Sequence, residues 1–404
     1  MIINELRAAN GRTEKEAILR STATELDRRM FRYAYDKLLS FGLKFNDVEH
    51  QTLFPPTEED FALLDRLSSR ELSGAAARKA VVHHAQEFGG LVMLVCNKDL
   101  DCGASATTIN NVFPSTVPQF KLQLAKEQPL SKIRFPCFVE TKYDGVRLAI
   151  INRAGKVTFR TRNGKYVKLP ILQEYLEGCD KRNYMLDTEV TLASGKMEDR
   201  TKVSGMITSA MRGGAIYENL LLFNVFDTLP LHDLDTSTCA LDYTTRRVFV
   251  HGAVAELECP QLQVAQAFEC ANAAEVEAVY AKHIAQGFEG LILKHAHSSY
   301  TFKRTTDWTK MKETKTADLV CTGVVPGAGK YQGEIGALIC EGTVEDVVVH
   351  VKAGSGLTDL QRRLPLHTYI GRVIELKYNT VITDKVTGRH SLFLPRFVTI
   401  RDDK

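Results

Sequence analysis

The most reactive arrangement in the sequence is Lys142-Tyr-Asp-Gly145, preceded by Glu140 and followed by Arg147, between two segments with strand character. A lysine amine in such a turn can act as a nucleophile. With an ordinary pKa of about 10.4 it is neutral in only about one molecule in 2,500 at pH 7, a handicap of roughly 4 to 5 kcal/mol. Something must relieve that handicap. Trp308-Thr-Lys-Met-Lys312 offers two cations at i and i+2, which on a strand point to one side and can reach one phosphate. Folded back near Lys142, Lys310 and Lys312 would disfavour its charged form by repulsion. Taken singly, these features have plainer readings: a surface lysine beside an Asp-Gly turn, and a solvated edge strand. Two other patterns are set aside. Gly327-Ala-Gly-Lys-Tyr331 lacks the Gly at Val324 and the Ser or Thr at Tyr331 of a phosphate loop, so a turn is expected there. His83-His84 has no matching ligand cluster and is read as structural or solvent-exposed.

Further motifs follow in order: Thr161-Arg-Asn-Gly164, Leu186-Asp-Thr-Glu-Val190, Phe223-Asn-Val-Phe-Asp227, Phe288-Glu-Gly-Leu-Ile-Leu-Lys294 and Pro395-Arg-Phe-Val-Thr-Ile-Arg-Asp-Asp-Lys404. As an ordered set they resemble the covalent nucleotidyltransferases, and most closely the ATP-dependent DNA ligases of the three-domain tailed-phage type. The resemblance runs the whole length of the chain. It includes Lys98-Asp-Leu-Asp-Cys-Gly-Ala-Ser105, which is similar to part of the DNA-binding domain of such ligases.

What the resemblance implies is an enzyme that seals nicks in duplex DNA through AMP carried on Lys142. AMP then passes to the 5′-phosphate, and the 3′-hydroxyl displaces it. It implies ATP and Mg²⁺ as cofactors, with Glu189 and Glu289 as the metal carboxylates, and two suffice because Mg²⁺ keeps several waters. Glu189 would also lie near the ribose, Glu140 would read the adenine amine, and Arg147 and Arg162 would contact ribose and phosphate. Lys294 and Arg304 are further phosphate or sugar candidates, Lys310 and Lys312 bind the α-phosphate, and Arg401 and Lys404 orient pyrophosphate. Since these last two belong to the final domain, that domain would close over ATP and then swing away for DNA. Phe226 would stack on the base; its plainer reading by pattern is an ordinary core aromatic. Asp187 is expected to orient its neighbours. An RNA ligase or a capping guanylyltransferase would share the lysine chemistry, and a silent nick-binding protein would share the architecture. An NAD-dependent ligase is disfavoured by the missing zinc cysteines.

The elements that must position these residues divide the 404-residue chain into three. Residues 1–131 read as an all-α domain, with a capping box at Thr13 and Glu16 opening a run to Gly42, a helix from Thr57 and another over 75–88. Residues 132–315 read as α+β with largely antiparallel sheet, including a hairpin through Arg153-Ala-Gly-Lys156 and a helix over 273–286. Residues 316–404 show five strand patterns, which suits a small barrel of the OB type.

Composition adds exclusions. Hydrophobic residues at 44% and charged residues at 25% are ordinary globular usage and argue against a disordered chain. No apolar run approaches the roughly 18 residues of a membrane span, and MIINELRAANGR lacks an apolar signal core. Nine scattered cysteines without a C-x-x-C pair fit reduced thiols in a cytoplasmic protein, in the host cytoplasm for a phage chain. The net charge of +3 is too small to argue for nucleic acid, so DNA contacts must come from local patches. A monomer acting on nicked double-stranded DNA is expected, with no membrane partner. A sliding clamp is a further partner that no segment supports.

Overall fold

The computed structural model describes residues 1–46, 48, 52–194, 200–312, 315–384 and 387–403. Two compact units emerge, Met1–Met311 and Lys312–Lys404.

The first unit begins with seven α-helices: α1 (Ile2–Ala8), α2 (Arg12–Thr22), α3 (Glu25–Tyr35), α4 (Glu58–Ser68), α5 (Gly74–Phe88), α6 (Leu91–Asn97) and α7 (Ala106–Val112). They enclose a core of their own, in which Leu19, Met30, Phe31, Phe61, Leu67, Val92 and Ile109 are all buried. The run expected from Thr13 to Gly42 is two helices rather than one. Thr24 and Asp27 form a reciprocal capping box that starts α3, whereas α2 starts after Gly11. A cap residue takes extended backbone, so Thr24 breaks the helix its neighbours could have continued. The expected helices at Thr57 and over 75–88 are present as α4, capped by Thr57 and Asp60, and α5, which stops at Gly89 with φ +77°.

Two sheets follow. Their strands are β1 (Leu124–Lys126), β2 (Cys137–Thr141), β3 (Val146–Arg153), β4 (Lys156–Thr161), β5 (Tyr166–Val167), β6 (Tyr184–Leu192), β7 (Leu221–Pro230), β8 (Leu262–Val264), β9 (Ala267–Cys270), β10 (Gly290–His295) and β11 (Arg304–Lys312). One sheet runs β1-β11-β10-β2-β9 and the other β5-β4-β3-β6-β7-β8. The expected β3–β4 hairpin turns through Ala154 and Gly155, both at positive φ, the mark of a primed turn whose twist matches the strands. The helix expected over 273–286 runs Ala273–Ala285 and is capped by Asn272. The strand β1 pairs in parallel with β11, so the segment 1–131 read as helical includes a strand that belongs to a later sheet.

The second unit holds a seven-stranded sheet: β12 (Lys315–Pro326), β13 (Ile335–Val344), β14 (Val347–Ala353), β15 (Val373–Tyr378), β16 (Val381–Thr383), β17 (His390–Leu392) and β18 (Arg396–Ile400). Five of these are the strands expected from pattern; β16 and β17, of three residues each, are too short to leave a period-2 signal. The rejected phosphate loop is a tight turn between β12 and β13, where a Cβ on Gly327 would meet the Tyr331 carbonyl at 2.2 Å.

Candidate active site

Lys142 stands immediately after β2, at a junction built by backbone pairing. Its N–H donates to the Gly290 carbonyl at the start of β10, and Glu289 precedes that glycine. The turn leads through Gly145 into β3, and a Cβ there would meet the Val190 carbonyl of β6 at 2.2 Å, so only glycine allows the turn to lie this close to Glu189. In consequence Lys142 Nζ makes a direct ion pair with Glu289 Oε2. Across β3 and β6, Arg147 is the register partner of Glu189.

A cavity of about 180 Å³ opens here, and Glu140, Lys142, Tyr143, Arg147, Glu189, Phe226, Lys294 and Trp308 are among its lining residues. Its walls are held by buried polar networks. The Arg147 guanidinium donates Nε to Asp187 Oδ1 at 2.8 Å, Nη2 to Asp187 Oδ2 at 2.5 Å and Nη1 to the Gln123 carbonyl at 2.7 Å. Tyr300 completes the group by donating to Asp187 at 2.8 Å. Asp187 thus orients Arg147, whose flat face lies 5.2 Å from the Phe226 ring centre and 5.6 Å from that of Trp308. Phe226 is half-buried, edge-on to Trp308 at 5.9 Å.

On the opposite wall Lys294 is 1% exposed. A buried ammonium needs partners, and its Nζ has Glu140 Oε2 at 3.0 Å and the Phe226 carbonyl at 2.7 Å. The Tyr243 hydroxyl donates to the other Glu140 oxygen. Burial raises the Glu140 pKa, with Lys294 and then Tyr243 opposing it. Burial likewise pushes Glu189 up to about 7, against the pull of Arg147 and Lys142. This carboxylate is short of positive charge.

The structure therefore brings Glu140, Lys142, Arg147, Glu189, Phe226 and Lys294 to one pocket, with Glu289 paired to Lys142. Other residues singled out in the sequence lie elsewhere. Arg304 and Arg162 are exposed and outside the pocket lining; loss of surrounding water, then the Arg147 and Arg304 cations, lower the Arg162 pKa. Lys310 pairs with Glu127 at 3.1 Å, so in this state its ammonium is engaged by a carboxylate instead of standing against Lys142. Lys312 donates to Asn379 within the second unit. Arg401, also there, is held by Asp318 at 3.2 Å and Asp403 at 2.7 Å. Lys404 lies outside the described residues. The set-aside His84 bonds Asp60 at 2.7 Å and stacks on Phe88. All nine cysteines are free thiols.

Residues 121–312 match the ATP dependent DNA ligase domain, and residues 326–401 match the DNA ligase OB-like domain. The DNA ligases of Enterobacteria phages T4 and T6 are each 26% identical over alignments that take in all of this chain and 95% of theirs. The chain belongs to the ATP-dependent DNA ligases. A solved structure named Pmar-Lig_Pre superposes on all of this chain and 99% of its own with a TM-score of 0.83 at 25% identity. The ligase is accordingly an ATP-dependent enzyme made of nucleotidyltransferase and OB-fold ligase domains. No helix among its described residues is long and apolar enough to cross a membrane.

Several residues that shape the pocket of this ligase left no local sequence signal. Tyr243 reaches Glu140 across 103 residues and Tyr300 reaches Asp187 across 113. Trp308 had a visible cue, being the single tryptophan of the chain inside a quoted motif. Gln123 and Ala125 fall within the 1–131 segment assigned to the helical domain, yet Ala125 lines the pocket and Gln123 accepts from Arg147.

Proposed function

We propose that Lys142 is the residue on which this ligase carries AMP. Its Nζ loses a proton and attacks the α-phosphorus of ATP; the N–P bond forms as the bond to pyrophosphate breaks. The adenylyl group then moves to the 5′-phosphate of a nick, and the 3′-hydroxyl closes the phosphodiester and expels AMP. The observation that carries this reading is that Lys142 lines a pocket whose other charged residues, among those described, are Arg147, Lys294, Glu140 and Glu189. Glu289 Oε2 is the acceptor already in contact with the Lys142 ammonium, so it is the natural first stop for the proton. Such transfer needs little beyond positioning and charge stabilisation.

Glu140, fixed through both oxygens, would accept from the exocyclic amine of adenine, and Phe226 would present its ring to the base. Arg147 keeps Phe226 and Trp308 in place while its own nitrogens are engaged; Arg162 and Arg304 supply positive charge outside the pocket. Lys294 holds Glu140 in place and opposes the rise that burial imposes on its pKa. Glu189 and Glu289 would hold Mg²⁺, which when bound neutralises charge on the phosphates. The fit is chemical: both are near Lys142, and Glu189 is a carboxylate that burial leaves undercompensated. Two carboxylates suffice for a metal that keeps several of its waters. Lys310 and Lys312 would bind phosphate, and Arg401 and Lys404 would orient pyrophosphate in the first step. The helical segment would grip nicked duplex DNA, with the enzyme working as a cytoplasmic monomer.

Incubation with α-labelled ATP followed by a nicked duplex of DNA or RNA strands tests the sequence of steps. A labelled protein, an adenylated nick and a sealed DNA strand are expected in turn. A labelled peptide that excludes Lys142 would remove the assignment.

A further inference from the structure

Two cavities of about 390 and 570 Å³ adjoin in the first unit, and Lys37 and Asn163 line both. One wall comes from the helical segment, the other from the turn between β4 and β5. Six cations line them: Lys37, Lys44, Lys98, Lys121, Arg160 and Lys165. Among the described residues the lone acid in either lining is Asp36, 4% exposed, with Oδ1 taken by the Leu38 N–H. This segregation departs from the surrounding composition, since residues 1–131 hold 16 basic and 17 acidic side chains.

We propose that this groove is a track for the phosphodiester backbone of the DNA substrate, with Lys37, Lys44 and Lys165 as its phosphate contacts. The proposal rests on the reading of the chain as a DNA ligase and adds where the duplex is held. These three lysines are exposed, and such point charges on flexible stems suit a sequence-independent polyanion. Lys98 and Arg160 form the floor. Lys98 Nζ is tied to the Tyr33 and Asp36 carbonyls at 2.7 Å each, and Arg160 lies over the Tyr166 ring at 4.4 Å. Burial pushes Lys98 down to about 8, with Asp36 opposing and Lys165 adding a smaller push of the same sign, which places the Lys165 cation within electrostatic reach of the floor.

The test compares a groove triple variant, K37A/K44A/K165A, with a control of equal charge change, K79A/K181A/K282A, whose lysines are also exposed. Binding of the full chain to a nicked DNA duplex is measured across salt concentrations. Self-adenylation, which involves no DNA, reports that each variant is folded. The groove triple should adenylate at the wild-type rate, bind the nick at least several-fold more weakly, and lose roughly 2 to 3 units of salt slope, at about 0.9 per contact. The control should keep the wild-type slope. Equal losses in both triples, or none in the groove triple, would overturn the proposal. Failure of the wild type itself to adenylate and seal would instead overturn the ligase reading beneath it.

Discussion

Lys142 and Glu289 are joined by a direct ion pair, and an ammonium so held has no lone pair to offer phosphorus. Lys142→Ala should abolish the labelled adduct while leaving the thermal midpoint nearly unchanged, because a half-buried side chain in a turn contributes little packing. Lys142→Arg should fail equally, since a guanidinium stays protonated at any working pH. Recovery of adduct on another lysine in either variant would end this assignment. Glu189 supplies a pH prediction with a definite sign. Its folded-state pKa, near 7, lies above the ordinary carboxyl value, so the folded state binds the proton more tightly than the unfolded one. Stability from this group is full below the unfolded pKa and lost as pH rises through about 7. Glu189→Gln should therefore raise the thermal midpoint at pH 8 relative to wild type, with the gap closing below pH 5. It should also cut self-adenylation and flatten its rise between pH 6 and 8. A midpoint gap that is constant with pH would show that Glu189 is not the group responsible.

The strand β1 and its pairing with β11 set the border between the helical segment and the ATP pocket. Removing residues 1–118 deletes the helices and spares Gln123 and Ala125, so self-adenylation should persist while nick binding and sealing fall. Removing residues 1–131 also takes away the Gln123 carbonyl beneath Arg147 and a pocket-lining residue. A buried guanidinium that loses an acceptor costs on the order of 1–3 kcal/mol. That longer deletion should depress adenylation as well. Measuring adduct formation and nick sealing in both truncations separates the two effects; equal adenylation in both would mean that β1 is dispensable to the pocket.

Across the whole molecule the residues proposed to act on one nucleotide belong to two compact units, with Arg401 in the second. Arg401→Ala should damage sealing that starts from ATP far more than sealing of a preadenylated nick, because pyrophosphate is present only in the first step. The guanidinium is tied to Asp318 and Asp403, so some loss of second-unit stability is expected too. Measuring both sealing reactions at a temperature well below the melting point removes that contribution. Equal losses would assign Arg401 to DNA contact or to folding.

Local chemistry was legible in the sequence wherever a few neighbouring residues dictate it. The capping box at Thr57, the Ala154-Gly155 turn and the strand runs of β3, β4 and β13 follow from propensities and spacings that act over a handful of residues, whereas the box expected at Thr13 stands at Thr24. The ordered motifs likewise pointed to the family, because a nucleophile, carboxylates and cations for phosphate are each recognisable by type. Only tertiary structure decided the partnerships. It gave Lys142 to Glu289, engaged Lys310 with Glu127, turned Lys294 inward to Glu140, and drew Gln123 and Ala125 out of the helical segment into the pocket. A buried charge takes whatever counter-charge or carbonyl the packed fold brings within about 3 Å, and that neighbour is set by sheet order and register between segments far apart in the chain, most of them more than a hundred residues, where local pattern carries no information.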